Sequence, residues 1–403
     1  MEVGEEIRQP PFNGPANHVR HVFTELCRRG HEMKILFRRD GALWKSEDLQ
    51  RFTQVSVSWI DQGILRWVER LVRRIQFESR LPYLGFFESL RFALACRQEL
   101  ANCTVYYERF SWMTFGGLLA ARWLNIPWVL EYNGDPLADL ESKGIAPRGI
   151  QRWLSMRITN WSFEKADHVV ATGEGWRTSC IQTWGVPPEK ATTVENGTDL
   201  VDTLARDRLR AFRIVERNTQ ITRLVYLGGF YRWHGIDILL NAMARARDQG
   251  VNQQLVLIGS GDGEREAQEL AQVLGLGSAV KFMGRLYVDE YAPILADSDI
   301  GVSPYCGWEE FSGLKIFDYK AAGLACIASG KDGKPTSVED GNTGLIVPPC
   351  EVGALTAAMV KLASDPDLRR RMGQAARNDA ERRHRWSKTA QEIEDIFASV
   401  IGQ

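Results

Sequence analysis

Seven cysteines in 403 residues, an odd number with no Cys-x-x-Cys pair, supply neither a disulfide framework nor a zinc knuckle. The expectation is free thiols in a reducing compartment. No apolar run reaches 18 residues, which excludes a spanning helix of the usual kind. An excess of either charge is also lacking. Lys and Arg number 50 against 51 Asp and Glu, so a net charge of -1 gives no global field to recruit nucleic acid. The segment Met1-Glu2-Val3-Gly4-Glu5-Glu6 has neither the basic flank nor the apolar centre of a signal peptide, which makes a cytoplasmic protein the expectation. Short repeats and low-complexity tracts are absent. What is present, 44% apolar and 25% charged residues, is the balance of a soluble globular chain, and the length suits two domains of about 150–200 residues.

Short apolar runs alternate with amphipathic stretches along the whole chain. The runs 33–37, 128–131, 168–171 and 190–194 read as one series of strands. A second series comprises 224–227, 255–258, 280–282, 300–302 and 325–328. Strands separated by helical patterns of 10–15 residues predict right-handed βαβ units and parallel sheets. Between the two series, 202–222 is charged and rich in arginine, and reads as the linker. Val19, Val22, Phe23 and Leu26 at i, i+3, i+4 and i+7 mark the first helix, with Gly30 placed as its C-cap. Ahead of it the run 10–15 reads as a turn-rich loop. Only a stub around Glu2 and Val3 is left for a leading strand.

The stretch 59–97 has another texture. Arg66, Arg70, Arg73, Arg74, Arg80, Arg91 and Arg97 interleave with Trp67, Leu71, Ile75, Phe77, Tyr83, Phe86 and Phe87, and outnumber acidic residues that include Glu69, Glu78 and Glu88. Two readings stand: an ordinary amphipathic helix pair, or a surface that docks on anionic lipid.

Chemistry concentrates at 309–323. Ser312 and Gly313 read as the turn into a helix whose N-terminal N–H groups favour an anion, with Lys315 adding a charge in the first turn and Gly323 ending the helix. Asp318 lies one turn further on, where a carboxylate could accept hydrogen bonds from a ribose diol.

Together with its flanking segments this stretch resembles the nucleotide-sugar-dependent glycosyltransferases of family 4, retaining enzymes of the GT-B fold. Glu310 and Asp318 have the eight-residue spacing of the family's paired acidic positions, with Asp where Glu is usual. The runs 321–329 and 340–349 resemble the helix end, strand and late turn that follow. The run 226–237 resembles the family's phosphate-binding loop, with Gly229 where Arg is common and His234 where Lys is common. Leu257 to Glu264 and Phe282 to Leu286 match two further loops, and 196–199 the turn closing the N-terminal domain.

The resemblance implies an α/β GT-B architecture of two facing Rossmann-like domains with parallel sheets. An acceptor-side domain would span 1–203, a donor domain 204–384, and a helix 385–403 would cross back. It implies donor-binding roles for Gly14, Arg232, His234, Gly261, Arg285, Leu286, Ser312, Gly313, Leu314, Lys315 and Asp318. It places Glu310, Asn133 and Glu131 at the catalytic site, none as a nucleophile, and His18, Glu108 and Arg109 on the acceptor side. Many relatives have a histidine where Asn133 stands, and an amide cannot act as acid or base. No Asp-x-Asp motif adjoins the donor site, so neither metal nor cofactor is expected. The partners implied are a nucleoside diphosphate sugar and a saccharide or lipid-linked acceptor, without nucleic acid. A sugar-nucleotide epimerase or hydrolase and a non-catalytic relative are the rival readings.

Overall fold

The computed structural model describes residues 14–39, 42–57, 64–78, 85–112, 114–135, 137, 140–141, 146–205, 221–306, 313–331 and 334–402. It divides into two compact units, Met1–Val194 with Ala390–Gln403, and Glu195–Thr389. The expected stub at Glu2 and Val3 lies outside the described residues, as do Glu310 and Ser312.

In the first unit, β1 (Ile35–Arg39), β2 (Ala42–Ser46) and β3 (Thr53–Val55) form an antiparallel sheet. A parallel sheet has the order β4 (Tyr106–Arg109), β5 (Trp128–Tyr132), β6 (His168–Ala171), β7 (Ala191–Thr193). The run at 33–37 was expected in a parallel sheet. Among the described residues it pairs antiparallel with β2, and the two residues between the strands are Asp40 and Gly41, the types that two-residue hairpins favour. All five residues of β5 are buried, as a strand covered on both faces requires. The first helix, Gly14–Arg28, buries Val19, Val22, Phe23 and Leu26 and ends at Gly30 with φ +96°. Its apolar face packs with Ile35, Phe37 and Leu49.

The second unit holds a six-stranded parallel sheet: β10 (Val280–Phe282), β9 (Gln253–Ile258), β8 (Thr222–Leu227), β11 (Ile300–Ser303), β12 (Ala325–Ser329), β13 (Gly344–Val347). Successive residues of β8 serve opposite faces. Leu224 and Tyr226 join one core cluster, and Val225 joins another with Ile316 and Tyr319. Helices therefore cover both faces of this sheet.

The unit boundaries differ from the expected 203/204 and 384/385. Leu200, Val201 and Leu204 are buried with Ile316, Tyr319 and Ala321, which places this segment in the second core. The turn at 196–199, expected to close the N-terminal domain, belongs to the second unit as well. A Cβ on Gly197 would overlap the Trp386 backbone, and Thr198 donates to Asp318. The last helix, Trp386–Ile401, starts in the second unit, and from Ala390 onward it belongs to the first.

The expectation of free thiols fails at one pair. Cys306 and Cys350 are disulfide-bonded, with Cα atoms 4.8 Å apart, while Cys27, Cys96, Cys103, Cys180 and Cys326 are free. Each bonded cysteine lies three residues beyond the end of a strand, β11 and β13, and those parallel strands flank β12. Topology joins them across 44 residues where no spacing motif could reveal it. Among the described residues, no helix is long and apolar enough to cross a membrane, and no cluster of three His, Cys, Asp or Glu side chains could hold a metal ion.

Candidate functional site

In the second unit the strand order turns between β8 and β11, the position at which open α/β sheets bind ligands beyond their strand ends. Two glycine turns interlock there. A Cβ on Gly259 would overlap the Gly228 carbonyl, and one on Gly261 would lie 2.7 Å from the Phe230 nitrogen. Phe230 N–H donates to Ser260 O at 3.1 Å, and Gly259 N–H to Gly284 O at 2.7 Å. Gly261, expected to admit the donor, thus serves first to let two loops pack. Gly284, with φ +67°, leads to exposed Arg285 and half-buried Leu286.

Gly313 caps the helix Leu314–Ala321 with φ +60°, and a Cβ there would come within 2.6 Å of the Phe317 ring. Only glycine meets both demands. Lys315 is buried. Its ammonium lies 4.9 Å from the Tyr226 ring centre, 4.4 Å from that of Tyr305, and 3.3 Å from the Tyr305 hydroxyl. It still borders the turn, since a Cβ on Gly228 would lie 3.1 Å from its Nζ.

His234 corrects the expectation of a phosphate ligand. Its ring is buried, with Nδ1 2.8 Å from the Tyr226 hydroxyl and 2.5 Å from Gly229 O. Burial and the neighbouring Lys315 charge, opposed by the Gly229 carbonyl, hold its pKa down at about 3. The imidazole is therefore neutral near pH 7 and props the loop instead of neutralising phosphate. The absence of a side chain at Gly229 has a local cause as well. A Cβ there would meet the Tyr231 ring at 2.5 Å, and Tyr231 stacks on Trp233 with centroids 5.0 Å apart. Arg232 is exposed on this turn, and its side chain has no hydrogen bond or ion pair among the described residues. It is the accessible cation of the loop.

Asp318 was expected to face a ribose. Both its oxygens accept hydrogen bonds inside the unit, Oδ1 from Thr198 and Oδ2 from the Tyr291 hydroxyl at 3.2 Å. Burial outweighs those two bonds and raises its pKa to about 7. A ribose diol would have to compete with both hydroxyls. The shorter side chain is accordingly tied back in the fold.

The polar centre of the first unit gathers around Glu131, near the end of β5. Its Oε2 is 2.7 Å from His18 Nε2 and accepts from the Tyr107 hydroxyl. Its Oε1 accepts from Asn133 Nδ2 at 3.1 Å, and Arg109 Nε lies at 3.7 Å. Burial would raise the carboxyl pKa, yet His18, Arg109 and Tyr107 bring it down to about 2. Glu131 is thus an ionised, enclosed anchor that fixes His18 and Asn133, not a group positioned to touch substrate. Gly14, expected in a loop, is the first residue of the helix that carries His18.

Glu108 does not join this cluster. Strand alternation sends Tyr107 and Arg109 toward Glu131 and Glu108 to the opposite face, where a Cβ on Gly117 would overlap its carboxylate. Burial raises its pKa to about 7. The two-residue period of the run 106–109 contained that separation, and Tyr107 was legible there as the partner of Arg109.

An acid titration tests the Glu131 anchor. The folded protein holds the carboxylate ionised down to about pH 2, whereas an ordinary glutamate protonates near 4.5. The unfolded chain therefore binds more protons in that window, and stability falls as pH drops through it. Glu131→Gln is expected to give a shallower loss of stability between these pH values in urea denaturation. A limb as steep as wild type would contradict the anchor.

Two family models match the chain: Glycosyltransferase Family 4 over residues 12–202 and Glycosyl transferases group 1 over 207–379. A D-inositol 3-phosphate glycosyltransferase of Corynebacterium kroppenstedtii is 26% identical over 72% of this chain and 66% of its own length, so the match spans about two thirds of that relative. Sucrose-phosphate synthase of Thermosynechococcus elongatus shares the fold with a TM-score of 0.69 at 20% identity, over 99% of this chain and 98% of that one. HepE of Anabaena, solved with UDP-glucose, gives 0.59 at 19% identity over 84% and 90%. With the two models lying end to end over the two α/β units, the chain belongs to the family 4 glycosyltransferases of GT-B fold.

Proposed function

We propose that this chain transfers a hexose-type sugar from a nucleoside diphosphate to a hydroxyl of a saccharide or lipid-linked acceptor, with retention at the anomeric carbon and without a metal ion. The observation that carries this reading is the presence of two cations at the glycine turns of the sheet's switch point, Arg232 exposed on one turn and Lys315 bordering Gly228. Two cations and backbone N–H groups can meet the charge that grows on a departing diphosphate. Arg285 and Leu286 would face the base, and the UDP-glucose bound by HepE supports a uridine donor. In the first unit, His18, Arg109 and Asn133, held by Glu131, would orient acceptor hydroxyls. Incubation with UDP-glucose and related donors tests the reading. An acceptor-dependent product whose anomeric configuration, read by NMR, matches the donor supports it. Acceptor-independent hydrolysis, epimerisation alone or inversion would overturn it.

Two helices with exposed apolar residues support a place for this chemistry on the cytoplasmic face of an anionic membrane. In the helix Ile64–Glu78, Glu69 is buried and bonded to Arg73 and Arg91, while Ile64, Trp67, Leu71 and Ile75 form an exposed stripe. Trp67 is 62% exposed. Exposed Arg66, Arg70 and Arg74 accompany the stripe. In the helix Ile150–Lys165, Ser155, Thr159, Ser162 and Phe163 are buried, and Ile150, Trp153 and Trp161 are exposed on the side that carries Arg157. Apolar rings with adjacent guanidinium groups suit an anionic interface, each basic residue contributing about 1 kcal/mol there.

The triple change Arg66→Gln, Arg70→Gln and Arg74→Gln is expected to abolish co-sedimentation with phosphatidylglycerol vesicles at moderate salt. Arg73 is left intact because it is bonded to Glu69 and Glu88 within the fold. Equal wild-type binding to neutral phosphatidylcholine vesicles would contradict the membrane reading.

A further inference from the structure

We propose that the Cys306–Cys350 bond is a thiol-sensitive clamp that positions the donor-binding lysine, so that its reduction weakens nucleotide binding. The inference rests on the donor site described above and adds a means of control to it.

Residues 304–306 join the three parts of that site. A Cβ on Gly235 would overlap the Pro304 carbonyl, so this segment lies directly against the end of the phosphate loop. The Tyr305 ring is 4.7 Å from that of His234 and stands against the Lys315 ammonium. Cys306 N–H donates to Trp233 O at 2.8 Å. The segment is also held covalently, through Cys306 to Cys350 on the chain leaving β13. Cys350 has φ +62°, a region that favours glycine, so the cysteine is held where a different residue type would be expected. The five other cysteines have no such partner. In the reducing compartment proposed for the enzyme, the bond is exposed to dithiol reductants.

The reduction balances with a dithiol as the second reactant. One of its thiolates attacks a sulfur of the pair and releases the other cysteine as a thiolate, which takes up a proton. Its second thiolate then attacks the first dithiol sulfur in the mixed disulfide and releases the remaining cysteine as a thiolate, which takes up the second proton. Two electrons and two protons pass to Cys306 and Cys350, and the reductant leaves as a disulfide. Beyond its own chain neighbours the segment then keeps non-covalent contacts alone, and Lys315 loses a fixed wall of its box.

The test is calorimetric titration of UDP into the full chain, oxidised and after dithiothreitol, with thiols counted in denaturant. The count should rise from five to seven, and the Kd for UDP by about fivefold or more, both reversing on reoxidation. Cys306→Ser with Cys350→Ser should bind UDP as weakly as reduced wild type, whatever the dithiothreitol. Cys350→Gly, which relieves the backbone at that position without restoring a bond, should do the same. A purely structural bond would lower the melting temperature on reduction and leave the Kd of wild type unchanged, which would overturn the proposal. So would seven titratable thiols under oxidising conditions. UDP binding to neither form would instead remove the donor-site reading, and the clamp with it.

Discussion

Lys315→Ala and Arg232→Ala are each expected to weaken UDP binding by roughly 10- to 150-fold, the equivalent of about 1.5–3 kcal/mol for a lost charge-assisted hydrogen bond. Their effects on stability should separate. Arg232 is exposed without an ion-pair partner among the described residues, so Arg232→Ala should melt like wild type. Lys315 is enclosed between Tyr226 and Tyr305, so Lys315→Ala should also lower the melting temperature. Lys315→Met keeps the apolar stem and removes the charge, and should recover stability without affinity. Wild-type affinity in both Arg232→Ala and Lys315→Met would remove the phosphate assignment.

The second large effect concerns a buried ion pair behind the same helix. Lys320, 1% exposed, is bonded to Asp379 and donates to Ser337 O at 2.8 Å, and the His384 ring stacks on Phe317 at 3.8 Å. Burial opposes ionisation of Asp379, but His384, Lys320 and Arg383 hold its pKa well below the usual range. Asp379→Ala would strand the Lys320 charge in the core, at about 3–5 kcal/mol. Loss of much of the folding free energy is expected, read as a large fall in the urea midpoint. Lys320→Met combined with Asp379→Leu should recover most of it, because no charge is then stranded in the core. If the single and double variants were equally unstable, packing would outweigh charge at this position.

The second unit was largely legible in the sequence because its strands are apolar runs bounded by glycine turns. Runs such as 280–282 and 300–302 reappear as β10 and β11 within a residue. The first unit was less so. The hairpin β1–β2 carries polar and charged residues, Arg38, Arg39 and Lys45 among them, and periodicity is weak there. Site residues were found by type and spacing, but their surroundings were not. Nothing in the run 226–237 shows that His234 is buried under Tyr226, or that Gly229 makes room for Tyr231. The helix Ile64–Glu78 announced its amphipathicity, yet only packing shows that Glu69 is buried and Trp67 exposed.

The most direct measurement is a calorimetric titration of UDP into the oxidised wild-type protein, without added metal ion. The account predicts saturable binding at one site per chain, lost in step with the charge at Arg232 and Lys315. Absence of binding, or binding indifferent to both residues, would contradict it.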